Sequence, residues 1–440
     1  MMLDVVVVGG GISGLAACYG LTCKGYSCVL LEAEAKVGGK IKSLRKGDYL
    51  LEYGPNSCLA SDKLVEIVNS VGLKDEMIAA GPRAARYVYF QGRLHKVPTN
   101  PLALVTTSLL SFRAKLRLLR EPFVKRQVGV GDESLRDFVV RRFGLEVYER
   151  LFAPFISGIY AGDAAKMSAT AAFPKLVALE RQYGSVLYGT LRSMRGRGSG
   201  SLVSFDSGLE RLPQGLATGL GDAVHTNARV QTVKFRATSP RYIVIAGGKE
   251  FAADRLVIGL PAYDAAAILT EALPELAALL NEIEYAPLVV VHVSYRLEEL
   301  GFSPDGFGFL VVRTEGLRLL GAIHSSTLFP RRSPQESVLL TCFLGGATDP
   351  DVIELDDAEL GEIVASELGR ILGTSVRADV LSVWKIPRAI PQYSLGHLDR
   401  LRKIDKLLEG KPGLRLVGNY LRGVSVPDCI EKGLEMATSL

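Results

Sequence analysis

The first forty residues change their hydrophobic period twice, in the order expected of a strand, a helix and a second strand. Residues 3–8 (Leu-Asp-Val-Val-Val-Val) form a continuous apolar run of the kind that is buried on both faces of a parallel sheet, and residues 28–32 repeat it. Between them, a glycine-rich turn precedes a helical stretch that continues through Leu21. The pattern predicts a βαβ unit at the start of the chain.

A strand and a helix of the same character return near the end of the chain. Residues 414–418 predict a short strand that ends at glycine, and a helix is expected from about Asp428, so both ends should belong to one sheet. Between them, residues 96–199 are largely helical and basic, whereas residues 285–345 alternate as strands do between glycine-rich turns. Two inserted units are therefore expected, with a flexible loop at residues 195–201.

The overall composition limits the classes of function. The 440 residues carry a net charge of +5, which is too mild for a dedicated nucleic-acid binder and fits an anionic small molecule or membrane surface better. The six cysteines contain no CxxC pair and the five histidines lie far apart, so we expect neither a metal site nor a disulfide framework.

The absence of long apolar runs bears on where the protein acts. No such run reaches the ~20 residues that a membrane span needs, and residues 3–8 begin a strand where a targeting leader would need a charged region and an apolar region. We therefore expect a cytoplasmic protein in a reducing compartment, either soluble or bound to the membrane surface.

A dinucleotide-binding turn follows the first strand. Gly9, Gly11 and Gly14 form a GxGxxG motif between the predicted strand and helix, where backbone N–H groups can approach a pyrophosphate at the helix N-terminus. The motif alone is weak. Glu32 lies about 20 residues further on, at the end of the second strand, where its carboxylate can accept hydrogen bonds from ribose hydroxyls. A merely structural glycine turn is the alternative.

A second glycine motif favours FAD over NAD. Residues 32–43 (Glu-Ala-Glu-Ala-Lys-Val-Gly-Gly-Lys-Ile-Lys-Ser) resemble the corresponding motif of the amine oxidase and phytoene desaturase superfamily, with Lys40 in place of the commoner arginine. Lysine keeps the charge but loses the planar guanidinium. Because residues 418–420 contain no cysteine, the resemblance implies noncovalent FAD. It implies cofactor contacts at Gly9, Gly11, Ile12, Ser13, Gly14, Glu32, Ala33, Gly39, Lys40, Gly54, Pro55, Asn56, Ser57, Val230, Trp384, Gly418, Asn419, Gly423, Val424 and Val426.

Segments outside the flavin motifs narrow the resemblance. The matching segments span nearly the whole chain and are Glu52-Tyr-Gly-Pro-Asn-Ser57, Arg86-Tyr87, Pro98-Thr-Asn-Pro101, Ala153-Pro-Phe-Ile-Ser-Gly-Ile-Tyr-Ala-Gly-Asp163, Lys166-Met-Ser168 and Gly418-Asn-Tyr-Leu-Arg-Gly-Val424. Together they are similar to the protoporphyrinogen IX oxidase family, particularly its plant-like branch. Membership in that family would imply a porphyrinogen substrate and O₂ as the electron acceptor.

The same resemblance implies the substrate contacts. Arg86 corresponds to an arginine that pairs with a propionate, a role that suits a guanidinium because it binds a carboxylate bidentately. A solvated residue at a strand edge is the alternative for Arg86, and Arg83 and Arg93 are nearby competitors. The resemblance also implies contacts by residues that would otherwise be assigned to a core or a turn: Asn56, Gly158, Leu310, Leu320 and Phe343.

The resulting fold class is α/β (α+β overall), with a Rossmann-like FAD-binding domain built from discontinuous segments. A chain of this length exceeds one compact core. We predict the FAD-binding domain at residues 1–80, 200–265 and 384–440, a substrate domain with a mixed or antiparallel sheet at 81–95 and 266–383, and a helical membrane-associating insert at 96–199.

The helical insert contains a basic amphipathic segment. Residues 108–126 carry six cations against one acid, interleaved with leucine, phenylalanine and valine, and such a segment can lie among lipid headgroups. A solvated helix flank is the alternative. Membrane association is also what the family resemblance implies. A homodimer and a handover of product to a chelatase remain open as further partners.

Three functions remain in competition. The first is a porphyrinogen oxidase that converts protoporphyrinogen IX in three two-electron steps at a flavin. No catalytic base is assigned, because no catalytic constellation stands out in the sequence and pyrrole N–H protons can leave to water. The second is a coproporphyrinogen III oxidase, since the substrates differ only in propionate count and ring substituents. The third is a catalytically idle carrier of flavin and tetrapyrrole. A carotenoid desaturase or an amine oxidase would leave residues 155–162 unexplained.

Overall fold

The computed structural model describes residues 3–81, 85–98, 101–126, 131–193, 201–302 and 304–438. Arg83 and all but the last residue of the predicted loop at 195–201 lie outside the described residues. The described residues form a mixed α/β fold.

The strands, numbered in chain order, are β1 Leu3–Val8, β2 Cys28–Leu31, β3 Ser43–Lys46, β4 Tyr49–Glu52, β5 Cys58–Leu59, β6 Met77–Ala79, β7 Arg86–Phe90, β8 Arg93–Lys96, β9 Leu202–Phe205, β10 Val224–His225, β11 Val230–Phe235, β12 Tyr242–Ala246, β13 Lys249–Ile258, β14 Tyr285–Arg296, β15 Gly308–Val311, β16 Leu319–His324, β17 Ser337–Gly345, β18 Asp379–Pro391 and β19 Leu414–Leu416.

The α-helices are α1 Ile12–Cys23, α2 Asp62–Ser70, α3 Pro101–Thr106, α4 Phe112–Leu119, α5 Leu135–Phe143, α6 Leu145–Val147, α7 Ala153–Tyr160, α8 Ala169–Ala172, α9 Pro174–Tyr183, α10 Val186–Ser193, α11 Arg211–Leu220, α12 Ala262–Leu269, α13 Pro274–Asn281, α14 Leu297–Leu300, α15 Ser325–Leu328, α16 Asp357–Leu372, α17 His397–Glu409 and α18 Val426–Thr438.

The first sheet joins the two ends of the chain, as the apolar runs predict. Its strand order is β10-β2-β1-β13-β12-β11, and β19 pairs with β13. Strands β2 and β13 flank β1, and both pair with it in parallel. Strand β19 pairs with β13, also in parallel. Residues of β1 alternate between two cores, one with α1, α11 and α18 and the other with α12, α13 and α17. The continuous valine run is therefore buried on both faces.

Two element boundaries differ from the sequence expectation. Helix α18 begins at Val426, two residues earlier than predicted, because the Ser425 hydroxyl accepts the Asp428 backbone N–H and Pro427 suits a first helical turn. Strand β18 runs through residue 384, at which a domain boundary is predicted.

The second sheet has the order β18-β14-β17-β16-β15-β7-β8. One face contributes alternate residues of its strands to a core with α16, which covers that face. Because side chains alternate across a strand, the intervening residues point to the opposite face, which contacts helix α7 and residues 52–56. A site can form on this face.

Helices α3 to α10 lie between β8 and β9 and pack around their own core. Inside it, the fully buried Arg142 and Glu121 form an ion pair, and Glu121 also accepts the Val186 N–H at 2.9 Å, which caps α10. None of the helices in the described ranges is both long and apolar enough to cross a membrane.

Candidate functional site

The glycine turn lies at the carboxyl ends of the parallel strands β1, β2 and β13. A Cβ atom added to Gly11 would meet nothing within 4 Å, so this position faces open space. A Cβ atom on Gly14 would lie 2.0 Å from the Gly9 carbonyl oxygen, and one on Gly259 would lie 2.9 Å from the Gly14 Cα. Sequence reasoning missed Gly259, although a strand that ends in glycine before Leu-Pro is a signal for such a turn. The close packing leaves the open side free for a ligand.

Glu32 leaves strand β2 at the same edge of the sheet. Its carboxylate accepts the backbone N–H groups of Gly10 at 2.7 Å and Glu34 at 2.8 Å, and the residue is 9% exposed. The Ala228 N–H donates to the Glu32 backbone carbonyl at 2.7 Å, which brings the chain leading into Val230 beside it. The carboxylate is thus oriented at the edge where a ribose would lie.

The second glycine motif packs on the first. The Gly38 N–H donates to the Gly10 carbonyl at 2.8 Å, and a Cβ on Gly39 would lie 3.3 Å from the Gly11 Cα. Lys40 follows, and its Nζ donates to the Arg388 carbonyl at 2.7 Å. The open side of Gly11, the acidic Glu32 and the cationic Lys40 therefore fit the pyrophosphate and ribose of a dinucleotide.

Remote segments complete this edge. The turn at residues 54–57 follows β4, and a Cβ on Gly54 would lie 2.0 Å from the Lys40 carbonyl oxygen. The loop between β19 and α18 is held by Tyr393, whose hydroxyl donates to the Asn419 carbonyl at 2.5 Å. The predicted contacts on these segments are Pro55, Ser57, Gly418, Gly423 and Val424. Of the others, Ile12 and Ser13 lie on the first turn of α1, Ala33 follows Glu32, and Val426 begins α18. The structure brings these distant stretches of chain to one edge.

The open face of the second sheet has two rows of paired residues. The first, mostly apolar row runs His95, Val88, Leu310, Gly321, Phe343, Val290 and Trp384. The second runs Arg86, Gly308, Ile323, Thr341, His292 and Ser382. Leu310 and Phe343 therefore lie on the open face and not on the face that α16 covers. Trp384 is 41% exposed, and its ring centroid lies 5.1 Å from that of Tyr53.

Helix α7 lies over this apolar row. A Cβ on Gly158 would lie 2.7 Å from Leu310 Cδ2, so the absence of a side chain lets Leu310 pack closely against the helix. Leu320 packs in a small cluster with Phe343 and Ala161, at the end of the same helix. Four substrate positions implied by the resemblance thus come together: Gly158, Leu310, Leu320 and Phe343.

Arg86 lies at the edge of the open face. Its side chain is exposed, its guanidinium carbon is 5.3 Å from the centroid of the Phe307 ring, and none of the ion pairs among the described residues includes it. The competitor Arg93 lies at the opposite end of the β7–β8 hairpin. Arg86 is therefore an exposed cation without an ion pair in the described part of the chain, at the edge of the open face.

Buried polar groups lie between the open face and residues 52–57. The Ser325 hydroxyl is 2.8 Å from that of Thr341 and 3.5 Å from Asn56 Oδ1, while Asn56 Nδ2 donates to the Gly54 carbonyl at 3.3 Å. These contacts hold both ends of the Asn56 amide. Sequence reasoning missed Ser325 and Thr341, because isolated hydroxyl residues near strands match no motif.

His292 is a buried neutral histidine in this polar band. Burial lowers its pKa to about 4, although Nε2 lies 3.0 Å from the Glu52 carbonyl oxygen. Because an unfolded histidine titrates near 6.5, the unfolded state binds a proton between about pH 6.5 and pH 4, whereas the folded state does not. The contribution of neutral His292 to stability is therefore complete above about pH 6.5 and is lost as the pH falls toward 4.

We expect His292→Asn to reduce the acid sensitivity of folding. Between pH 7 and pH 5, the wild type should lose about 2 kcal/mol more of its free energy of unfolding than the variant does. Urea denaturation at the two pH values measures this difference. The exposed His225→Asn variant is the control, and equal losses in His292→Asn and wild type would contradict the assignment.

The described residues contain no group of three or more His, Cys, Asp or Glu side chains that could hold a metal ion. Fold and site together define an oxidoreductase with a dinucleotide edge on the first sheet and a separate open face on the second.

Comparison with known proteins specifies this class. Residues 12–440 match the family model of flavin containing amine oxidoreductases. The chain is 36% identical to the chloroplastic protoporphyrinogen oxidase of Oryza sativa subsp. japonica, over 99% of this chain and 88% of the relative. It is 28% identical to the coproporphyrinogen III oxidase of Bacillus subtilis (strain 168), over 98% of this chain and 96% of the relative.

A solved structure extends the likeness to the fold. A protein of Exiguobacterium sp. 255-15 superimposes with a TM-score of 0.83 at 25% identity, and the alignment covers 100% of this chain and 99% of the other. The chain belongs to the flavin containing amine oxidoreductases and, within them, to the protoporphyrinogen oxidase family.

Proposed function

We propose that this protein oxidises protoporphyrinogen IX to protoporphyrin IX, with three O₂ reduced to three H₂O₂. One observation supports this choice most directly, and it concerns the second sheet, here called the substrate sheet. Its apolar row packs against α7 and meets Tyr53 at Trp384, and the exposed cation Arg86 lies at the edge of the same face. A tetrapyrrole is a broad apolar ring with carboxylates at one edge, so an apolar face with a cation at its margin matches its shape and charge.

We propose FAD, bound noncovalently, as the flavin. Its diphosphate and adenosine ribose match the open side of Gly11 and the Glu32 carboxylate. When bound, the flavin would accept two electrons from the substrate in each round and pass them on to O₂. Arg86 would hold a propionate, Leu310 and Phe343 would exclude water from the ring, and the buried Asn56 amide would orient it.

Activity on two substrates tests this proposal. Purified protein supplied with protoporphyrinogen IX should develop porphyrin fluorescence and consume O₂, with a higher kcat/KM than on coproporphyrinogen III. The second substrate is the relevant rival because coproporphyrinogen III oxidases also match nearly the whole chain. Equal or faster turnover of coproporphyrinogen would assign the protein to that reaction. A yellow protein with no turnover of either substrate would be a carrier.

We further propose that residues 112–123 bind anionic lipid at the cytoplasmic membrane surface. Four large apolar side chains of this segment point outward, with exposed fractions of 75% for Phe112, 41% for Leu116, 67% for Leu119 and 85% for Phe123. Arginine and lysine side chains flank them on α4. Apolar exposure with surrounding cations is the arrangement by which a helix inserts among anionic headgroups.

The double variant Phe112→Ser/Phe123→Ser should bind membranes at least about ten-fold more weakly, because each lost phenylalanine removes apolar area from the lipid contact. Cosedimentation with phosphatidylserine-containing vesicles at low and high salt measures this. Phe302→Ser is the matched control, since Phe302 is 42% exposed elsewhere on the surface. Unchanged binding of the double variant would remove the lipid proposal.

A further inference from the structure

A cationic cluster at the dinucleotide edge includes a residue of the other sheet. Arg388 belongs to β18, which pairs with β14 in the substrate sheet. Between the pairs Leu288–Ile386 and Ala286–Ile390, β18 has two more residues than β14, so the strand bulges there. A bulge redirects side chains and is common beside active sites. Arg388 lies within this bulge, and its side chain is exposed.

The redirected side chain reaches the first turn of α12. The Arg388 guanidinium carbon lies 4.6 Å from the centroid of the Tyr263 ring, and that ring meets Tyr285 edge-on at a centroid distance of 4.9 Å. Helix α12 follows the carboxyl end of β13 and begins three residues after Gly259, which packs on the dinucleotide turn. Ligands of such sheets lie beyond the carboxyl ends of the parallel strands. Arg388 is thus held at the ligand edge by a cation–π contact with Tyr263.

A second cation, from the second glycine motif, contacts the same strand segment. Lys40 Nζ donates to the Arg388 carbonyl at 2.7 Å and lies 3.5 Å from the Tyr263 hydroxyl. The facing acid is Asp264: loss of hydration raises the pKa of its carboxyl, and the charges of Lys40 and Arg388 oppose that rise. Both cations therefore lie near one carboxylate, and Lys40 directly follows Gly39, which packs on Gly11.

We propose that Arg388 is a further cofactor-binding residue, whose guanidinium binds the pyrophosphate of the dinucleotide together with Lys40. The inference rests on the proposed FAD cofactor. A diphosphate carries two negative charges, and a guanidinium can bind its oxygens bidentately, which compensates for the planar fork that lysine lacks at position 40. Because Arg388 comes from the substrate sheet, bound FAD would also tie the two sheets together.

The test measures FAD affinity and not turnover. Release of FAD from the diluted full-length holoprotein, followed by FAD fluorescence, gives the dissociation constant. Arg388→Ala should raise it about ten- to hundred-fold, and Arg388→Lys by less, because a charge-assisted contact to the diphosphate is lost or weakened. Arg377→Ala is the matched control, an exposed arginine paired with Glu362 on the side of α16. ADP should compete less well with FAD in Arg388→Ala than in wild type, whereas competition by adenosine should not change.

Two outcomes would overturn the assignment. One is a dissociation constant for Arg388→Ala within two-fold of the Arg377→Ala control. The other is an unchanged FAD affinity with a raised KM for porphyrinogen, which would make Arg388 a substrate contact. Wild-type protein that binds FAD but turns over neither porphyrinogen would refute the proposed function and leave this test intact.

Discussion

Gly14→Val should yield protein that purifies without flavin. Even a single Cβ atom at this position would lie 2.0 Å from the Gly9 carbonyl oxygen, so the turn must open and move Gly11 away from the ligand. Loss of the close helix–strand approach removes the backbone donors that a pyrophosphate needs. The ratio of visible to ultraviolet absorbance of the purified protein measures the flavin content, which we expect to fall below about one tenth of the wild-type value.

Gly219→Ala provides the control for this glycine. Gly219 also lies in a helix, α11, but a Cβ there would meet Val71 at an ordinary distance of 3.6 Å. This variant should retain full flavin content. Circular dichroism of Gly14→Val distinguishes a folded apoprotein from an unfolded chain, and a folded Gly14→Val variant with normal flavin content would refute the cofactor assignment.

Arg86→Ala should raise the KM for porphyrinogen by about ten- to hundred-fold, because a charge-assisted contact with a propionate contributes roughly 1.5–3 kcal/mol. The flavin content should stay unchanged, since Arg86 lies at the edge of the substrate sheet, away from the glycine turn. Steady-state kinetics with protoporphyrinogen IX measures the effect. Arg86→Lys should recover part of the affinity, because it keeps the charge but not the bidentate geometry.

Arg93→Ala tests which arginine of the hairpin, Arg86 or Arg93, binds the propionate. Both arginines are exposed, but Arg93 lies at the opposite end of the β7–β8 pair. Its replacement should leave KM within two-fold of the wild-type value. If instead Arg93→Ala raised KM and Arg86→Ala did not, the propionate site would have to move to that end of the hairpin.

The predictions from sequence succeed where a motif is contiguous. The valine run of β1, the glycines that follow it and Glu32 lie within a short stretch, and their relative placement follows from a strand, a tight turn and a helix. The joining of both chain ends in one sheet was also predictable, because β19 shows the same apolar character as β1. These features depend on local conformation and hydrophobic period.

The substrate face could not be derived in that way. Leu310 and Phe343 look like core residues in the sequence, and only the family resemblance selected them. The face of the sheet on which these two side chains lie depends on the register between β15, β16 and β17, including the irregularity between Leu319 and Gly321. A shift of one residue in such a register would turn each side chain to the opposite face.

The sequence by itself therefore determined the dinucleotide turn, the class of cofactor and the family, because those signals lie in short segments with a local physical meaning. Only the tertiary structure decided which residues of remote strands share the site. Gly259 beside Gly14, Ser325 beside Asn56 and Arg388 over Tyr263 are contacts between distant segments. They arise from strand order, register and one bulge, which result from packing of the whole chain and leave no pattern in any single segment.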